Sequence, residues 1–181
     1  MTRLFTTLAL LAAGFAHGAE FNSVQPDKST IAFVSKQMSV PVEGAFRKFS
    51  AQIHLDPAKP EAGRALIEIE LASIDAGSAE ANDEVKGKSW FNVRDFPKAS
   101  FVSSSVKALG GGRFETSGKM TIRGKTLDAR APFTLKQEKG VLILDGTFPL
   151  KRLDYGIGSG IWSDTSVVAD EVQVKFHFVL K

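Results

Sequence analysis

The sequence predicts an all-β fold, an eight-stranded antiparallel β-barrel with one short helical insertion between the third and fourth strands. Three observations predict it: apolar and polar residues alternate in eight segments, turn residues separate the later ones, and only one stretch carries a helical pattern. Successive short strands joined by hairpins leave two unpaired edges unless the sheet closes on itself, and a barrel hides them.

The first strand is read in Thr30 to Ser35, where Ile31 and Phe33 share a face. The second is Phe49 to Leu55, with Phe49, Ala51, Ile53 and Leu55 in register, and the third is Ala65 to Leu71, the clearest alternation in the chain. Ser78 then caps a helix whose first turn holds Glu80, whose end holds Lys86 and which Gly87 terminates. Five strands follow, in Ser100 to Lys107, Phe114 to Ile122, Leu127 to Leu135, Leu142 to Leu150 and Val172 to Phe178. Gly110-Gly111-Gly112, Arg123-Gly124-Lys125 and Lys139-Gly140 fall between successive members of the series, where tight reversals need residues tolerant of positive φ. A bulge near Arg47-Lys48 accounts for Phe46 and Phe49 being out of step.

The amino terminus points to export. Arg3 precedes an apolar run from Leu4 to Phe15, and small residues follow, so residues 1–18 read as a signal peptide cut after Gly18 or Ala19. The run stops short of the roughly 20 apolar residues that cross a bilayer. Residues 19–181 then form a single domain, placed in the periplasm, with no cysteine for disulfides or for lipid attachment. The full chain's 23 Lys and Arg are interleaved with its 20 Asp and Glu, which excludes the clustered basic face of a nucleic-acid binder.

Catalytic patterns are poor. His54 and His177 lie apart in strands, with no H-E-x-x-H helix and no Gly-x-Ser-x-Gly elbow, and Gly156-x-Gly158-x-Gly160 precedes strand-like rather than helical sequence. Asp83-Glu84 and Asp170-Glu171 read as surface charge. The chain is thus expected to be no enzyme, to use no metal and to require no cofactor.

The interior is expected to be greasy, since phenylalanine occurs 14 times against one tyrosine. A barrel of this size is either filled by its own side chains or just wide enough for a small ligand, and the pattern alone leaves both open. If it is hollow, the candidates for its lining are Phe33, Phe46, Phe49, Ile53, Phe101, Phe114, Met120, Phe133 and Phe148, each on an apolar phase of a strand or at its bend. Trp90 and Phe91, after the helix, and Trp162, after a glycine-rich segment, either cover a mouth or pack on the wall. Arg123, Lys125, Lys151 and Arg152 are the clustered cations available to an anionic headgroup; as turn residues they also read as solvated surface.

Four stretches in order carry a resemblance to a known family. They are Ser73-Ile74-Asp75-Ala76-Gly77; Phe96-Pro97-Lys98-Ala99-Ser100-Phe101 with Ser103; Thr121-Ile122-Arg123-Gly124-Lys125-Thr126; and Lys151-Arg152-Leu153-Asp154-Tyr155-Gly156-Ile157-Gly158 with Gly160 and Trp162. Together they resemble the YceI-like, polyisoprenoid-binding family across the mature chain. The resemblance implies a lipocalin-like barrel in the periplasm whose cavity holds a polyisoprenoid, an isoprenoid quinone or another long-chain lipid, with transient membrane contact during loading. An exposed apolar mouth would favour a homodimer. Two other readings stay open: an enzyme or respiratory accessory acting on an isoprenoid quinone, and a filled structural or stress protein with no ligand.

Overall fold

The computed structural model describes residues 21–181, so the expected signal peptide lies outside the described residues. The fold is all-β with one α-helix: a single antiparallel sheet curls around one interior. Its strands are β1 (Thr30–Gln37), β2 (Val40–Phe46), β3 (Phe49–His54), β4 (Arg64–Glu70), β5 (Ile74–Asp75), β6 (Lys98–Gly110), β7 (Arg113–Ile122), β8 (Lys125–Glu138), β9 (Val141–Lys151) and β10 (Glu171–Leu180). They are ordered β3-β4-β6-β7-β8-β9-β10-β1-β2-β5. The helix α1 (Ala79–Lys86) lies between β5 and β6.

This corrects the expected count of eight strands and the helix position between the third and fourth. The two unforeseen strands are β2 and β5. β2 contains Pro41 and Gly44, both poor strand formers, and begins after a turn in which Met38 and Ser39, not glycines, take positive φ. β5 is two residues long, too short to show a period. Both lie at the seam of the curled sheet. β2 pairs with β1 on one side and with β5 on the other, then passes through Arg47 and Lys48 into β3, which pairs with β4. The chain itself therefore links the two flanks of the sheet. The break falls at Arg47-Lys48, where the Arg47 N–H donates to Ser73 O (3.1 Å) and the Lys48 N–H to Ser73 Oγ (3.0 Å), so the bend keeps its backbone donors satisfied.

One end of the curled sheet is filled. Strand phase brings Phe114, Phe133, Leu142, Leu144, Phe178 and Leu180 into one cluster, and Phe21 joins it by pairing with Leu55. The segment before β1 is held there by backbone bonds from Ser23 to Lys181 and from Gln25 to Val179. Leu142 and Leu180 are almost fully buried, and each such side chain contributes about 1.5–3 kcal/mol by leaving water. At the opposite end of the same strands, Leu71, Trp90, Ala99, Ile122, Tyr155, Ile157 and Val168 form a second cluster. α1 is capped as its sequence predicts: the Ser78 hydroxyl accepts from the Ala81 N–H at 3.1 Å.

Candidate functional site

Between the two clusters lies a cavity of about 600 Å³. Its wall is the inward phase of the strands, including Ile67 and Ile69 of β4, Val172, Val174 and Phe176 of β10, and Ile31 of β1. Of the residues expected to line it, Phe33, Phe46, Ile53, Phe101, Met120, Phe133 and Phe148 do so, as do Trp90, Phe91 and Trp162. Phe49 and Phe114 do not. Phe49 packs edge-on against Phe178 at 6.0 Å, and Phe114 stacks on Phe133 at 5.6 Å, so both thicken the filled end.

α1 and the residues after it form one border of the cavity. Ala76, Glu80, Ala81, Glu84 and Val85 line it, as do Ser35, Gln37 and Val42 of the β1–β2 hairpin. Phe91 meets Phe46 edge-on at 6.1 Å, and Trp90 packs on Trp162 at 5.4 Å, which ties α1 to the segment after β9. The Trp90 indole N–H also donates to Glu84 Oε1 at 3.2 Å. Sequence phase did not reveal Glu80 and Glu84 as lining residues, because α1 buries none of its residues and its charges read as surface. Its own backbone N–H and, secondly, the Ser78 hydroxyl hold the Glu80 carboxyl below its ordinary pKa.

Three of the four clustered cations are occupied within the protein. Arg152 is 2% exposed, and its five N–H donors all reach carbonyl oxygens. Nε donates to Ala169 (3.0 Å), Nη1 to Ile157 (2.8 Å) and Gly158 (3.2 Å), and Nη2 to Trp162 (2.7 Å) and Val168 (2.7 Å). Its guanidinium also lies 5.6 Å from the Trp90 ring centre. Burial pushes the Arg152 pKa down, and nearby Asp170 partly offsets that. No Arg152 N–H is left for a headgroup. Arg123 donates to the carbonyls of Gly156 and Lys88, and Lys125 donates to Asp154 O at 3.1 Å. These contacts bind the β7–β8 hairpin to the Lys151–Gly158 segment; Lys151 itself is exposed at the end of β9. The glycines of that segment have a geometric reason. Gly156 and Gly158 take positive φ, and a side chain on Gly158 would collide with the Arg152 guanidinium.

A model of the YceI-like domain matches residues 23–180, nearly all of the described chain. The chain belongs to the YceI-like family. A UPF0312 protein of Azotobacter vinelandii is 33% identical over 122 residues, a match covering 65% of this chain and 62% of that relative's length. The crystal structure of Burkholderia cenocepacia BcnA shares 47% identity and superposes with a TM-score of 0.86, over 88% of this chain and 100% of BcnA. A polyisoprenoid-binding domain from Saccharophagus degradans, implicated in plant cell wall breakdown, superposes with a TM-score of 0.67 at 15% identity. That match spans 91% of this chain and 99% of the domain and shows a shared fold. Among the described residues, no helix is long and apolar enough to cross a membrane. Within this YceI-like chain, the buried arginine network and the Arg123-Gly124-Lys125 hairpin occupy two of the four stretches that carried the resemblance.

Proposed function

We propose that this YceI-like protein is a periplasmic carrier that binds, without transforming, a polyisoprenoid or other long-chain amphiphilic lipid. The observation that carries the reading is the cavity: about 600 Å³ of space bordered mostly by apolar side chains, Phe, Ile, Val, Leu and Ala above all. Sites for small ligands fall at about 300–1,000 Å³. The name of the Saccharophagus relative adds a chemical class, since that domain is described as polyisoprenoid-binding.

Each methylene moved from water into such a wall contributes roughly 0.8 kcal/mol, so a few isoprene units outweigh a surface ion pair of about 1 kcal/mol or less. Taking the same chain from a membrane gains far less, because the lipid is already out of water there. Such a balance suits a carrier that loads and unloads by transient membrane contact. The proposed headgroup position is the α1 border, where Glu80, Glu84, Ser35 and Gln37 supply polar atoms; Arg152 is not part of it.

Mass spectrometry of organic extracts from protein purified out of its native compartment tests the reading. A long-chain lipid in near-equal amount with protein is the expected result, and its repeated absence would overturn the proposal. Amino-terminal sequencing of the same material, starting at Ala19 or Glu20, checks the export step. Turnover of an added quinone by the pure protein would move the reading to an enzyme.

A further inference from the structure

Three aromatic rings of the cavity wall lie over glycines of an adjacent strand. Phe33 of β1 faces Gly44 of β2, its direct cross-strand partner, and a Cβ on Gly44 would overlap the ring. Phe176 of β10 faces Gly146 of β9, also its direct partner, and a Cβ there would overlap that ring too. Phe101 of β6 lies diagonally over Gly118 of β7, and a Cβ on Gly118 would stand 2.8 Å from its ring. Real Cβ atoms are essentially never this close, so each ring occupies space that any other residue would fill. Cross-strand partners share a face of the sheet, and all three rings line the cavity. The missing side chains are therefore missing from the inner face.

Glycine in a strand interior is unfavourable by itself and marks a close approach. A ring folded flat against the wall leaves free the part of the lumen it would otherwise enter. We infer that Gly44, Gly118 and Gly146 are seats for these rings and set the calibre of the cavity, admitting a methyl-branched chain where a narrower tube admits only a straight one. This rests on the lipid-binding reading and names the feature that selects among lipids.

Gly146 is the position to test. A side chain on Gly44 also meets Asp75 O, and one on Gly118 meets Val102 O, both backbone atoms, whereas at Gly146 the nearest atoms belong to the movable Phe176 ring. Wild type, Gly146→Ala, Phe176→Leu and the double variant are titrated with geranylgeraniol, which is branched, and hexadecanol, which is straight, by the fluorescence of Trp90 and Trp162. Gly146→Ala should weaken geranylgeraniol by roughly tenfold, equivalent to about two buried methylenes, and hexadecanol less. Adding Phe176→Leu should restore the branched ligand. Equal effects on both alcohols, or no rescue, would overturn the inference. Melting of the four lipid-free chains reads the seat alone: Gly146→Ala should lower the midpoint and Phe176→Leu should recover it in the double variant. Independent effects would overturn the seat. A wild-type chain that binds neither alcohol would instead overturn the lipid reading, and the melting cycle would still decide the seat.

Discussion

At one end of the curled sheet Leu142 and Leu180 are directly paired and buried by strands with an apolar residue at alternate positions. At the other end Arg152 is just as buried, yet it draws five carbonyl oxygens from residues 157–169, a stretch with little regular structure. Strands satisfy their own backbone groups through the ladder, so apolar side chains suffice to close the first end. An irregular segment leaves carbonyls unpaired when buried, and a planar five-donor fork answers several of them at once. The difference teaches that Arg152 is a structural fastener, with all of its donors spent on backbone carbonyls.

The sharpest way to break this contrast is Arg152→Met, which keeps length and apolar bulk but deletes all five donors. An expected loss of about 3–5 kcal/mol, from several stranded carbonyls, should appear in urea unfolding. Arg152→Lys should recover little of it, because one ammonium cannot span the same set of oxygens. Wild-type stability for Arg152→Met would mean that packing alone closes both ends. Leu142→Ala, at the filled end, should cost about 3 kcal/mol through a cavity, and Leu142→Met should be nearly silent. Trp90→Phe comes next. It keeps an aromatic surface under Arg152 but removes the indole donor to Glu84, and a loss of about 1 kcal/mol is expected in the same assay.

The same contrast explains what the sequence disclosed. Long strands such as Phe114 to Ile122 announced themselves by period two, and phase placed Phe33, Phe101 and Phe148 on the cavity side. Phase gives a face but not a height along the strands, so it did not separate Phe49 and Phe114, which thicken the filled end, from the lining. β2 was hidden by Pro41, Gly44 and a turn without glycine; β5 was hidden by its length. The partners of Arg152 are backbone atoms, which no side-chain pattern encodes. A signal for the glycine seats was present, since Gly118 and Gly146 sit on the apolar phase of otherwise well-formed strands, where side chains are expected.

A second arginine offers the smallest and cleanest test, because it makes the opposite kind of contact. Arg47, at the bend between β2 and β3, pairs with Asp75 of β5 across the seam, and both side chains are substantially exposed. The hydrogen bond from Arg47, helped by the Gly77 N–H, holds the Asp75 carboxyl below its ordinary pKa. A carboxylate depressed in the folded state stabilises the fold above the unfolded value, about pH 4. That contribution fades as pH falls through the lower folded value. Asp75→Asn should therefore melt slightly below wild type at neutral pH, with the gap closing under about pH 4 and shrinking in high salt. Arg152 faces carbonyls that do not titrate, so the Arg152→Met deficit should persist across the same range. Melting curves of both variants at neutral and acid pH separate the two roles: a deficit for Arg152→Met that closed in acid alongside that of Asp75→Asn would place a carboxylate, not the carbonyl set, at the centre of the buried fastener.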